Sequence, residues 1–304
     1  MMIANIYIYI YYNKSQSTYF SILGPLNIPV YPEFYNDLDE EERQAIPEGH
    51  LYHSCNIMWA HEKDKNIKHI DNFENLLIIG GGLTAGHLAT RAIRTCMMKN
   101  DDNNNNNVKR HVTLCSRAPL QSRQFDLDLP WMGRERTSRL ASFWAIDDYE
   151  QRMEQLVNAK NGGSMTPEVL EELEKGEATG YYTCFEDTNI EYAYFDDTTM
   201  KWEVQFDENA EVDGPCFYDA IWCATGTKID MTAGVFKSLS KHIETVCGRL
   251  PKLTEDLRIN KNINAFILGQ HAGLTLGPGS VNLMGARAGA SRVAETLKRN
   301  TTFV

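Results

Sequence analysis

Gly80, Gly81 and Gly82 stand between an apolar run, Leu76 to Ile79, and an alanine-rich stretch that opens at Leu83. With Ala85 they match G-x-G-x-x-G/A, the spacing by which a strand–turn–helix unit holds a dinucleotide. Each position has a physical task. Gly80 makes the tight turn, Gly82 lets the backbone approach a pyrophosphate, and Ala85 lets the helix lie close on the strand. Gly81, Leu83 and Thr84 complete the turn, where the unpaired N–H groups and the positive dipole end of the helix face a phosphate. A glycine turn that merely joins strand to helix is the plainer alternative.

Two residues after the next apolar run, His111 to Cys115, bear on which dinucleotide is held. Ser116 and Arg117 occupy the place where an acidic side chain would bind the ribose 2′-OH of NAD. A hydroxyl and a guanidinium there suit the 2′-phosphate of NADP instead.

Two further glycine stretches follow. The run Tyr218 to Cys223 ends in Ala224-Thr225-Gly226, small residues at the carboxyl end of a strand, which permit close approach of a ligand. The run Ala265 to Leu268 ends in Gly269 and a glycine-rich loop through Gly277-Pro278-Gly279. Ser280 or Asn282 is placed to cap a helix with the stripe Leu283, Ala286, Ala290, Val293 and Leu297. Metal chemistry has little to build on. His50, His53 and His61 lack a spaced cysteine or carboxylate partner, and no two of the seven cysteines form C-x-x-C.

The elements that position these residues read as a β-α-β unit over residues 75–115, with its helix running to about Lys99 and a polar insertion at Asp101 to Asn107. Met2 to Tyr12 alternates as a strand, and residues 13–70 read as irregular. Residues 119–148 interleave Arg123, Arg134, Arg136 and Arg139 with Trp131, Phe143 and Trp144. That pattern fits a phosphate or carboxylate clamp and equally a packed loop. Helices are expected at Tyr149 to Asn158 and Thr166 to Lys175, and a hairpin at Thr188 to Phe206 turning on Asp196-Asp197-Thr198-Thr199.

Composition bounds the rest. The chain has 304 residues, 42% hydrophobic, enough for one large or two modest cores. A formal charge of -11 argues against nucleic acid or an anionic membrane as the main partner. The odd, unpaired cysteines suggest reduced thiols and a cytoplasmic setting, with no signal peptide or membrane span in the sequence.

Taken in order, His53-Ser54, the turn Gly80 to Gly86, Ala224-Thr225-Gly226, Leu268-Gly269 through Gly277-Pro278, and Asn282-Leu283 resemble the two-dinucleotide flavoprotein monooxygenases, closest to the N-hydroxylating lysine/ornithine group. The resemblance covers residues 24–298. It implies an α/β, Rossmann-like FAD/NAD(P)-binding fold with helical and β-hairpin insertions. Residues 1–65 would be an irregular amino-terminal segment, either partial FAD domain or linker; 66–220 would be the NAD(P)-binding domain; 221–304 would return to a partial FAD domain. It further implies that Gly80, Gly81, Gly82, Leu83, Thr84, Ala85, Ser116 and Arg117 hold NADP. Ala224, Thr225, Gly226, Gly269, Gly277, Pro278, Asn282 and Leu283 would lie near FAD. The chain departs from the family in one respect: residues 1–50 carry no second G-x-G-x-x-G, so the FAD site is expected to be incomplete.

The activity implied is hydride transfer from NADPH to flavin and then oxygen activation on a small-molecule substrate, an amine in that family. No side chain has to be a nucleophile or an acid–base pair, and no catalytic residue is assigned. The alternative is a truncated or degenerate dinucleotide-binding protein without activity. A third reading, an FAD-only reductase with Gly80 to Gly86 on FAD, is opposed by Arg117.

Overall fold

The computed structural model describes residues 7–12, 18–23, 27–60, 70–101, 110–160, 162–231, 237 and 239–301. Within these bounds the chain divides into two compact units, one formed by residues 1–28, 125–161 and 228–304, the other by 29–124 and 162–227.

The second unit is built on a five-stranded parallel sheet. Its elements in chain order are β1 (Leu51–His53), α1 (Ser54–Ala60), β2 (Asn75–Ile79), α2 (Leu83–Asp101), β3 (His111–Cys115), α3 (Pro167–Ala178), β4 (Tyr182–Phe185), β5 (Ile190–Asp196), β6 (Lys201–Phe206), β7 (Cys216–Tyr218) and β8 (Ala220–Cys223). The strand order is β1-β8-β2-β3-β4, and each pairing in it is parallel. Both faces are covered, which is why β2 and β8 read as unbroken apolar runs rather than alternating ones. Leu76 and Ile78 pack with Ala85, Leu88, Ala89 and Ile93 of α2 and with Val169 and Leu173 of α3. Leu77, Ile79, Ile221 and Cys223 pack on the other side against Trp202, Val204 and Phe206.

That second layer is a three-stranded antiparallel sheet, β5-β6-β7. The hairpin expected from sequence is present and gains a third strand. Its turn spans residues 197–200 between the paired Asp196 and Lys201. Asp196 shapes it by accepting from the Thr198 N–H at 2.9 Å and the Thr199 hydroxyl at 2.7 Å. Residues 27–60, read as irregular, hold real elements. The three-residue β1 is too short to show a period, yet it is a full member of the parallel sheet. Asp219 ties the start of β2 down, its carboxylate accepting from the N–H groups of Glu74 at 2.9 Å and Asn75 at 2.6 Å.

In the first unit, Tyr7–Tyr12 forms a strand flanked on both edges, by Thr18–Leu23 and by Ile263–Phe266, with Arg258–Asn260 completing the sheet. The residues 125–160 join this unit because they pack on its carboxy-terminal loop. Phe143, Met153 and Leu156 share a core with Val246, Leu250 and Leu274. The helices here are Arg136–Trp144, which sequence periodicity did not suggest, and Tyr149–Asn158, which it did. The last helix, α4 (Leu283–Thr301), buries Val293 against Phe266, Leu268 and Leu276. The amino-terminal residues 2–6 of the expected strand, the polar tract 102–107 and His61 lie outside the described residues.

Candidate functional site: a backbone cradle at the strand ends

The carboxyl ends of β8 and β2 lie side by side, β8 being inserted between β1 and β2. From β2 the chain runs through α2 to β3 and on to β4; β8 and β1 lie on the other side. The region beyond the carboxyl ends of the strands is where open α/β sheets bind ligands. The glycine turn after β2 and the Ala224-Thr225-Gly226 turn after β8 lie there.

The two turns meet backbone to backbone. Gly80 has φ +144°, and a methyl group there would sit 2.5 Å from the Ala224 carbonyl oxygen, so no other residue fits. The Gly80 N–H donates to the Cys115 carbonyl at 2.9 Å, and the Ala224 N–H to the Ile79 carbonyl at 2.8 Å. At Gly81 a methyl group would lie 2.3 Å from the Ser116 hydroxyl oxygen. Gly82 faces Gly163, whose Cα lies 3.6 Å from where its Cβ would be. Gly82, Leu83 and Thr84 are half-buried at the amino end of α2, and Ala85 is fully buried beneath them. The first turn of α2 has no acidic side chain to offset the positive dipole end. Gly86, which the motif does not name, lets α2 approach α3: a methyl there would meet Val169 at 2.5 Å and the Met165 sulfur at 2.8 Å.

Ser116 and Arg117 divide in role. The Ser116 hydroxyl is buried and donates to the Ala118 carbonyl at 2.7 Å, which shapes the bend after β3. Arg117 stands exposed beside it. In the turn after β8, the Thr225 hydroxyl donates to the Val30 carbonyl, and the Val30 N–H to the Gly226 carbonyl at 3.1 Å. His53, at the end of β1, is fully buried, edge-on to Tyr31 at 5.4 Å. Its Nδ1 accepts from the Cys55 N–H at 3.2 Å, which puts the proton of the neutral ring on Nε2. Burial pushes its pKa below the usual imidazole value, partly offset by the backbone of Gly226 and Val30. His50 is a packing residue as well, its Nδ1 2.6 Å from the Asp219 carbonyl oxygen. Among the described residues no group of three or more His, Cys, Asp or Glu is placed to hold a metal ion.

The carboxy-terminal loop belongs to the first unit and is mostly enclosed there. Gly269 and Gly277 take φ +72° and +88°. A methyl at Gly277 would lie 2.6 Å from Leu140, and Pro278 is buried. The Trp144 indole N–H donates to the Thr275 carbonyl at 3.0 Å, and Arg152 donates to the Leu274 carbonyl at 3.3 Å. Of the two candidate caps, Asn282 takes the role: its side-chain oxygen accepts from the N–H groups of Met284 at 3.0 Å and Gly285 at 3.2 Å. Leu283 is 69% exposed, so the lip of this loop, 281–283, is its accessible part. In the basic–aromatic stretch Phe143 is buried, while Arg123, Arg134 and Arg139 stand exposed. Trp131 sits edge-on to Phe143 at 6.3 Å, Arg292 lies 5.4 Å from the Trp144 ring, and Arg139 pairs with Glu135 at 3.4 Å.

No protein-family model matches the chain, and no curated protein matches it in sequence. Solved structures do. A cadaverine monooxygenase from Erwinia amylovora, bound to FAD, superposes with TM-score 0.62 at 12% identity, over 95% of this chain and 67% of that one. The reduced form of ornithine hydroxylase from Pseudomonas aeruginosa gives 0.60 at 14%, over 98% and 68%. An ornithine N-hydroxylase from Kutzneria sp. 744 with reduced FAD, NADP+ and L-ornithine gives 0.60 at 12%, over 95% and 67%. The chain thus spans about two thirds of the length of these structures. At such identities the likeness shows the fold, and the fold is the one the sequence motifs imply: α/β and Rossmann-like.

Proposed function

We propose that this chain is an NADP- and flavin-dependent oxidoreductase of monooxygenase type, acting on the nitrogen of a small amine. The observation that carries the reading is the pair of turns at adjacent strand ends, Gly80 set backbone to backbone on Ala224, beside a helix amino end without an acidic residue. Its features fit a dinucleotide: backbone meets backbone at the closest approach, and a helix amino end follows the glycine turn.

In this reading the second unit is the NADP-binding domain and the first unit a partial FAD-binding domain. Gly80, Gly81, Gly82, Leu83, Thr84 and Ala85 seat the pyrophosphate. Arg117 pairs with the 2′-phosphate, and Ser116 holds the bend that presents it. Ala224, Thr225 and Gly226, which the family resemblance set near FAD, belong instead to the unit of the glycine turn and abut it. On the first unit, Asn282 and Leu283 are the accessible flavin contacts, with Gly269, Gly277 and Pro278 fixing the loop that carries them. When bound, NADPH supplies a hydride and FAD accepts it and reduces dioxygen, the chemistry needed to hydroxylate an amine. The chain's own contribution is to bind, to orient and to exclude water. The solved neighbours supply the amine: their substrates are named as cadaverine or ornithine, or they carry L-ornithine.

The test is anaerobic mixing of the purified full chain, supplemented with FAD, with NADPH. The expected result is protein-bound flavin that bleaches with NADPH and more slowly with NADH. Failure to retain any flavin would overturn the oxidoreductase reading and leave a dinucleotide-binding protein.

A further inference from the structure

The outer face of the β5–β6–β7 sheet takes no part in the site above. Alternation turns Ala193, Trp202, Val204, Phe206 and Tyr218 into the core and sends their neighbours outward. The register places Tyr194, Glu203 and Phe217 in one row across the three strands, with Tyr192 in the next row. The three rings are uncovered: Tyr192 is 44% exposed, Tyr194 54% and Phe217 53%. The Tyr192 hydroxyl donates to the Glu203 carboxylate at 3.0 Å, which holds the carboxylate within the aromatic patch.

The charge of the molecule is concentrated in the same segment. Residues 186–219 contain eleven Asp or Glu and one lysine, a formal -10 against -11 for the whole chain. The lysine, Lys201, is itself paired with Asp219 at 3.3 Å. The remainder of the protein sums to near neutral, and on the outer face of the sheet the register sets Glu203 between Tyr194 and Phe217, with Asp196 opposite Lys201.

We propose that this face docks a basic protein segment, with arginine or lysine side chains seated between the rings of Tyr194 and Phe217 against the Glu203 carboxylate. A guanidinium gains from aromatic faces and from a carboxylate at once. Charge decides among the other occupants. Nucleic acid and anionic lipid are repelled, and a two-fold contact with a second copy would oppose one acidic face to another.

The probe is a fluorescent octapeptide of alternating arginine and threonine, titrated into the full chain and followed by anisotropy. The wild type is expected to bind. The double variant Tyr194→Ser/Phe217→Ser is expected to bind about tenfold more weakly. Glu203→Gln is expected to weaken binding several-fold, whereas Glu174→Gln, an exposed carboxylate on α3 with the same charge change, leaves it within about twofold. All four substituted side chains are at the surface, and the circular dichroism of each variant checks its fold. Equal losses in Glu203→Gln and Glu174→Gln, or an aromatic double variant that binds like the wild type, would overturn the proposal.

Discussion

Gly80 is a residue whose replacement the structure tolerates poorly. It takes φ +144°, and a methyl group would be driven to 2.5 Å from the Ala224 carbonyl. Gly80→Ala is therefore expected to cost about 1–3 kcal/mol in urea unfolding and to abolish dinucleotide binding, since the two turns can no longer abut. Arg117 gives a cleaner functional test because it is exposed and carries no structural duty in the bend. Arg117→Ala should weaken NADPH about tenfold or more, leave NADH unchanged and leave the unfolding midpoint where it was. Ser116, by contrast, donates inward to Ala118, so Ser116→Ala should affect the bend and both coenzymes alike. The glycine spacing and the Ser116-Arg117 pair were legible in the sequence. The division of labour between those two residues was not, because the direction of a hydroxyl depends on a carbonyl that spacing does not report.

Elements were legible where both faces of a strand are buried or where a cap and a period coincide. β2, β3, β8 and the helix Tyr149–Asn158 fall into this class, and so does α4 with its Asn282 cap. Asn282→Ala should cost about 1 kcal/mol by removing the acceptor for two N–H groups, measurable as a shift in the urea midpoint. The three-residue strands β1 and β7 were missed, since neither is long enough to show a period of two. The helix Arg136–Trp144 was missed because its arginines and aromatics fit a clamp and a packed loop equally. Its buried residues, Leu140 and Phe143, are spaced three apart, and they face the first unit's core. The antiparallel layer β5–β6–β7 matters more than a hairpin would, since it seals one face of the parallel sheet. Trp202 is fully buried at its centre, so Trp202→Ala should cost about 3–5 kcal/mol and loosen the strand ends that carry the two turns.

At the scale of the whole molecule, two buried histidines couple stability to pH. Burial pushes His271 down to about 4 from the ordinary 6.5 and lowers His53 as well. The unfolded chain takes up protons first, so their contribution is complete above about 6.5 and is lost as pH falls toward about 4. For His271 the loss is about 3 kcal/mol, and a His271→Gln variant should show a shallower decline of the urea midpoint over that range. The net negative charge of the chain falls within residues 186–219, separate in sequence from the glycine turns. The glycine turn after β2 and the Ser116-Arg117 bend are the proposed seats of the pyrophosphate and the 2′-phosphate of NADP. Calorimetric titration of the full chain with NADPH and with NADH tests that central proposal most directly. The account predicts saturable one-site binding, with NADPH preferred by about tenfold or more and the preference erased in Arg117→Ala. Equal affinities for the two coenzymes, or no binding of either, would contradict it.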